Sequence, residues 1–182
     1  MTEGDPLLLP AAAAEAAKSY LRVERSDEDG LIARLVAAAG ELCEGFTRQA
    51  LIVRAFEETM PASRAWQRLE RTPVRAITSV GALDAAGAAT PLAVGAYAID
   101  IDANGDGWVR IEAPGRLRRV RVAYSAGLAA DWDALPAALR QGILRLAAHF
   151  YAHRTAEPGR GSEDPPAAVS ALWSPYRRLR LR

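Results

Sequence analysis

The apolar residues of this 182-residue chain change their spacing twice, and a chain that does so cannot be only a helical bundle or only a sheet. From Leu31 they recur at Leu35, Ala38, Leu42 and Phe46, the spacing of one helical face. Short runs rich in β-branched and aromatic residues then take over, separated by turn signals: ALIVRAFEET, AWQRLE, VRAITSVGAL, AYAIDID, GWVRIEA and RVRVAYSAG. In GWVRIEA, Trp108, Arg110 and Glu112 point one way and Val109 and Ile111 the other; in RVRVAY, Val120, Val122 and Tyr124 oppose Arg119 and Arg121. Such alternation belongs to an antiparallel sheet with one wet face. After LAADWDALP the helical spacing returns through Leu139, Ile143, Leu146 and Phe150. The fold class this implies is α+β: a helical core of two N-terminal helices and a long C-terminal helix, an inserted antiparallel β region, and an extended C-terminal tail.

The length suits a single domain, residues 1–182, and with 50% hydrophobic residues the chain can bury a sizeable core. Within it, residues 1–50 are expected to form the N-terminal helices, 51–127 the β insertion, 133–156 the core helix, and 157–182 a linker and tail. Pro10 opens AAAAEAAKSYL as a first-turn proline, and Ser26 or Asp27 supplies a cap for the second helix. Gly45 and TRQ mark that helix's end; Asp133 and Pro136 play the opening roles for the core helix. The N-terminus is acidic and its apolar run is broken by Pro10 and Glu15, so no signal peptide or ~18-residue apolar span is expected. With one cysteine, Cys43, no internal disulfide can form, and a soluble intracellular product without membrane contact is expected.

Four features tempt a chemical reading. Asp102, Asn104, Asp106 and Gly107 resemble a calcium loop, but its twelfth position is Ala113, with Glu112 one residue short. Counting from Asp100 instead puts Gly105 sixth and Ile111 twelfth. Asn-Gly and Asp-Gly favour hairpin turns, so DANGDG reads as the tip joining two strands. His149 and His153 stand at the i, i+4 spacing of a zinc site, but Phe150 takes the place of the catalytic glutamate and no third histidine exists. Two half-exposed histidines near a helix end, where positive charge is favoured, are the plainer account. Ser125 in YSAGL does not complete the G-x-S-x-G of a nucleophile elbow, since Ala123 stands in place of its first glycine, and the only lysine, Lys18, follows no glycine-rich loop. Cys43 lies beside the helical stripe and reads as a small buried hydrophobe. No enzymatic activity and no metal site are expected.

The C-terminus leaves two readings open, a solvated tail, which its composition favours, and a segment that orders on a partner, which Trp173, Tyr176 and two leucines favour. YRRLRLR holds four arginines and no acid, and Arg178, Arg180 and Arg182 alternate with Leu179 and Leu181. An extended segment of that kind has one basic and one apolar edge, suited to ordering on a partner. A net charge of +1 argues against wholesale coating of nucleic acid. A small DNA-binding protein using this tail with Arg116, Arg118, Arg119 and Arg121 is the alternative reading.

Several stretches, in order, resemble one family. AKSYLRVERSDEDGLIARLVAAAGELCEGFTRQAL, RTPVRAITSV, RVRVAYSAGL leading into LPAALRQGILRLAAHFYAHRTA, and ALWSPYRRLRL are similar to segments of the phage head–tail connector, or adaptor, proteins. That family includes the adaptors of gene transfer agents. The resemblance implies a structural ring, commonly a dodecamer, beneath the portal protein of the particle. A tail-side stopper protein would lie below it, and packaged DNA would pass through its channel without sequence-specific binding. It implies no cofactor, assembly after synthesis in the bacterial cytoplasm, and a final place in the virion at the head–tail interface. It also implies helices in the subunit core and a β region reaching neighbours or tail components. The C-terminal segment becomes a portal-docking tail: Trp173, Tyr176, Arg177, Arg178, Leu179, Arg180, Leu181 and Arg182. The β portion here, residues 51–127, is larger than in the minimal helical members.

Overall fold

Buried residues alternate strictly with half-exposed or exposed ones along Arg119–Ala126, and that strand lies in the middle of a sheet. The structure, a computed structural model, describes residues 2–153 and 165–178. Its elements begin with β1 (Thr2–Gly4), α1 (Ala11–Leu21), α2 (Asp29–Thr47), β2 (Arg54–Pro61), β3 (Gln67–Arg68) and β4 (Val74–Leu83). They continue with β5 (Ala89–Pro91), β6 (Tyr97–Ile101), β7 (Gly107–Ile111), β8 (Arg119–Ala126), α3 (Ala137–Ala152) and α4 (Ala167–Trp173). A 3₁₀ turn, Ser174–Tyr176, follows α4. The chain divides into a β unit, Met1–Pro6 with Ile52–Leu128, and a helical unit, Leu7–Leu51 with Ala129–Arg182.

The β unit holds a five-stranded antiparallel sheet in the order β1-β2-β8-β4-β5 and a three-stranded one in the order β3-β7-β6. On β8, Val120, Val122, Tyr124 and Ala126 are buried while Arg119 is exposed, as the alternation predicts. Phe56 on β2 pairs with Tyr124, and the two rings stack at 5.7 Å. On β7, Val109 and Ile111 are buried between half-exposed Trp108 and Arg110. Each of the six predicted segments contains a strand, ALIVRAFEET only from Arg54 and AWQRLE only at Gln67–Arg68, and β4 reaches β8 through two register shifts. Two strands escape the sequence reading. β5 is only three residues long, and Thr2–Gly4, assigned to the helical opening, pairs instead with Phe56–Glu58.

DANGDG is a hairpin tip, joining Ile101 of β6 to its partner Gly107 of β7. The Asp102 carboxylate accepts hydrogen bonds from the amides of Asn104 and Asp106 at 2.8 and 2.9 Å. The Asp106 carboxylate accepts from Thr72 at 3.1 Å and pairs with Arg68 at 3.3 Å. Gly105 holds φ +75, and a Cβ there would lie 2.8 Å from the Cβ of Pro73. Both carboxylates are thus turned onto the protein itself.

In the helical unit, Leu139, Ile143 and Leu146 of α3 are buried as their spacing predicts, with Phe150 half-buried. On α2 the buried stripe is Ile32, Val36, Ala39, Gly40, Cys43 and Thr47, rotated about one residue from the predicted one. The predicted residues Leu31, Leu35 and Phe46 are half-buried, and Ala38 and Leu42 are exposed. The correction has a physical cause: α2 is apolar over an arc wider than one face, so periodicity fits two registers. Gly40 decides between them, since a Cβ there would meet Leu9 at 2.9 Å and Leu7 at 3.0 Å. Cys43 therefore sits inside the stripe, fully buried, and burial pushes its thiol upward, away from reactivity.

Helix ends also differ from expectation. Pro10, Glu28 and Pro136 occupy the positions before the three long helices, and none of these has a side-chain cap bond. α3 spans Ala137–Ala152 where 133–156 is predicted, with residues 154–156 outside the described ones. The Asp133 carboxylate instead pairs with Arg140 at 3.4 Å. Both α1 and α2 end on an arginine in the left-handed region, Arg22 at φ 56 and Arg48 at φ 57. The short apolar segment AAVSALW, which precedes SPYRRLRLR, forms α4. Among the described residues no helix is long and apolar enough to cross a membrane.

A polar cluster closes the β unit's core and generates a pH prediction. Glu58 accepts from the amide of Glu70 at 2.8 Å and from the hydroxyl of Tyr124 at 3.2 Å. Tyr124 in turn accepts from the amide of Arg71 at 3.2 Å. Burial raises the Glu58 carboxyl above the ordinary carboxylate range, against the two hydrogen bonds and with the Glu70 charge adding to the rise. A carboxyl raised on folding contributes stability that is full at low pH and lost as pH climbs through its folded value. Glu58→Gln keeps an acceptor oxygen and removes that loss. Urea melts at about pH 4 and about pH 7 should show the variant gaining on the wild type as pH rises; a gain on lowering pH would contradict the assignment.

Candidate functional site

An apolar heptapeptide is too short to hold a helix by itself, so α4 must be held by its contacts. Val169 and Trp173 supply them, both buried. Trp173 has no exposed surface. Its ring lies against Gly142 of α3, where an added Cβ would stand 2.1 Å from Nε1 and 2.8 Å from Cδ1. Nε1 donates to the carbonyl of Leu139 at 3.4 Å, and the Phe46 ring of α2 lies 5.8 Å away, tilted by 55°. One side chain thereby ties α4 to α2 and α3. Burying an aromatic of this size contributes roughly 4–6 kcal/mol before entropic costs.

The backbone beyond Trp173 is fixed in turn. Ser174 donates to the carbonyl of Ser170 at 2.7 Å as the helix tightens into the 3₁₀ turn. Gln49 donates to the carbonyl of Tyr176 at 2.5 Å. The amide of Arg178 donates to the carbonyl of Thr47 at 3.0 Å, satisfying one of the open carbonyls at the end of α2. The Arg177 guanidinium sits 5.3 Å from the centroid of the Phe46 ring. Positive charge there also suits the C-terminal end of a helix.

The predicted docking residues therefore divide. Trp173 is enclosed in its own unit and offers no surface; what it contributes is the placement of the segment that follows. Tyr176 and Arg178 are half-buried and Arg177 is exposed. Leu179, Arg180, Leu181 and Arg182 lie outside the described residues. Sequence reasoning misses the supports for the tail: Phe46 reads as part of the core stripe, Thr47 and Gln49 only as the end of the second helix, and Gly142 has no reading. A glycine inside the apolar spacing of α3 was the available signal, since such a residue costs helix stability unless packing requires it.

Other candidates resolve separately. Arg116, Arg118, Arg119 and Arg121 belong to the β unit, whereas the tail belongs to the helical unit. Arg121 pairs with Glu57 at 3.7 Å and donates to the carbonyl of Gly87 at 3.2 Å. His149 and His153 are exposed with ring centroids 4.1 Å apart, and Nδ1 of His153 lies 2.8 Å from the carbonyl oxygen of His149. Among the described residues no three His, Cys, Asp or Glu side chains group to hold a metal.

Solved structures share this arrangement along its full length. A chain from the neck of an empty GTA particle with C6 symmetry matches with a TM-score of 0.78 and 28% identity, over 100% of this chain and 97% of that one. A chain from the virion of a native gene transfer agent (GTA) particle matches with a TM-score of 0.72 and 30% identity over the same shares. A chain from the neck of a native GTA particle with C12 symmetry gives a TM-score of 0.71 at 27% identity, again over 100% and 97%. No protein-family model matches the chain, and no curated protein does.

The anchoring can be measured by chemical unfolding. Trp173→Ala should destabilise the helical unit by about 3–5 kcal/mol, the loss typical of a buried aromatic. Gly142→Ala should cost about 1–3 kcal/mol by forcing Trp173 off its seat. Arg177→Ala should cost less than about 1 kcal/mol; equal losses for all three would contradict the seat.

Proposed function

This chain belongs to the phage head–tail connector (adaptor) family, which includes the adaptor proteins of gene transfer agents, and we propose that it is a ring-forming joint of such a particle. Its place is the neck, at the head–tail interface. Copies stand side by side in a ring, twelve in our reading, beneath the portal protein and above a tail-side stopper. The ring joins capsid to tail around the channel through which DNA passes. The chain works as a structural component, without a cofactor and without reading DNA sequence.

The observation that carries the proposal is the match of the whole chain to chains from GTA particle necks computed with C6 and C12 symmetry. A ring places many copies in contact, and a net charge of +1 per chain lets them pack without accumulating repulsion. The docking segment is the tail from Tyr176 onward. It leaves the helical unit at a point fixed by Trp173 and by the backbone bonds to Gln49 and Thr47. A tail rooted in this way reaches its partner with less ordering entropy to lose. Its arginines supply the charge-assisted contacts.

Deletion of the gene in its producing strain tests the reading. Negative-stain micrographs should show heads without tails and tails lying free. Restoring a chain that ends at Tyr176 should leave that defect in place while the full chain repairs it. Complete, tailed and functional particles from the deletion strain would overturn the proposal.

A further inference from the structure

The last two turns of α2 and the root of the tail meet at one place on the helical unit. Leu42 and Phe46 stand one helical turn apart. Leu42 is 40% exposed and Phe46 is half-buried beneath the Arg177 guanidinium. The amide of Arg178 bonds the carbonyl of Thr47, which sets its backbone next to exposed Arg48. Arg177 thus lies over Phe46, the Arg178 backbone reaches the end of α2 beside Arg48, and Leu42 stands one turn before Phe46; Arg180 and Arg182 follow in sequence. Of the acids on this part of α2, Glu44 is turned inward onto the amide of Leu51 at 2.7 Å, leaving Glu41.

Arg48 holds φ 57, the left-handed region that follows a helix end and where glycine is the ordinary residue, as Arg22 does at the end of α1.

We propose that Leu42, Phe46, Arg48, Arg177 and Arg178 form one docking surface for an acidic segment of the portal protein, which lays an apolar side chain across Leu42 and Phe46. This rests on the reading of the tail as the portal-docking segment and enlarges it: the tail is only part of the surface, and α2 supplies the rest. Charge complementarity selects an acidic occupant. The apolar pair selects a protein over a nucleic acid, because a phosphate backbone gains nothing from leucine, whereas interface cores are built from such contacts.

The test is binding of the full chain to purified rings of the particle's portal protein. Leu42→Glu and Arg48→Gly should each weaken binding roughly tenfold. Arg48→Gly should do so while raising the thermal midpoint, a combination that a purely structural role does not give. Raising salt from about 50 to about 300 mM should weaken the wild type more than Arg48→Gly. If ending the chain at Tyr176 abolishes binding while both substitutions bind as the wild type does, the enlarged surface is wrong and the tail reading stands. If truncation leaves binding intact, or the wild type does not bind, the tail reading itself fails and this surface with it. Displacement of portal rings by duplex DNA would name nucleic acid as the occupant and overturn the proposal.

Discussion

A Cβ on Gly142 would stand 2.1 Å from Nε1 of Trp173, and the way the tail leaves the helical unit depends on that atom being absent. The seat lets the indole approach the α3 backbone closely enough to reach the Leu139 carbonyl and still meet the Phe46 ring. α4 is too short to fold by propensity, so its helical state and its position come from the burial of Val169 and Trp173. The chain then passes Gln49 and Thr47 and arrives at Arg177 and Arg178 with its backbone already bonded. Burial energy spent inside the unit is thereby converted into a fixed starting point for the basic residues that follow.

The β unit follows a different logic, organised on β8. That strand pairs with β2 on one side and β4 on the other, and its buried side chains run from Val120 to Ala126. The polar closure at Tyr124 and Glu58 shows how the sheet meets its connections. Backbone amides from Glu70 and Arg71 are satisfied by side chains of the sheet, where buried unpaired amides would be costly. The 102–106 tip repeats the device with Asp102, which accepts from amides of its own loop because a tight turn leaves amides that need partners. Asp106, the other residue that looks like a metal ligand in sequence, is taken up by Thr72 and Arg68.

Sequence legibility followed how sharply a physical rule selected one answer. Period-two alternation at 107–111 and 119–126 was readable because one face of each strand is buried and a slip of one residue would expose it. The α3 stripe was readable because Arg140 and Arg145 bound the apolar side. On α2 the rule selects two answers, Ile32–Val36–Cys43 or Leu31–Leu35–Leu42, and the close approach of Leu7 and Leu9 to Gly40 favours the first. That information lies far away in the chain and is invisible to periodicity. Trp173 illustrates a further limit: seven residues carry no usable period, so an aromatic beside four arginines read as part of their surface. Gly142 was the overlooked counterweight, an interior helix glycine whose only purpose is the ring against it. The family resemblance was legible because it rested on several stretches in order and not on any one motif.

The measurement that bears most directly on the account is electron cryo-microscopy of the particle that carries this chain, at a resolution that follows side chains. The account predicts a ring of this chain in the neck, the Trp173 indole seated on Gly142 in every copy, and the residues from Tyr176 to Arg182 lying against acidic side chains of the portal. A neck without this chain would contradict its central claim. So would a ring whose arginine tails face away from the portal.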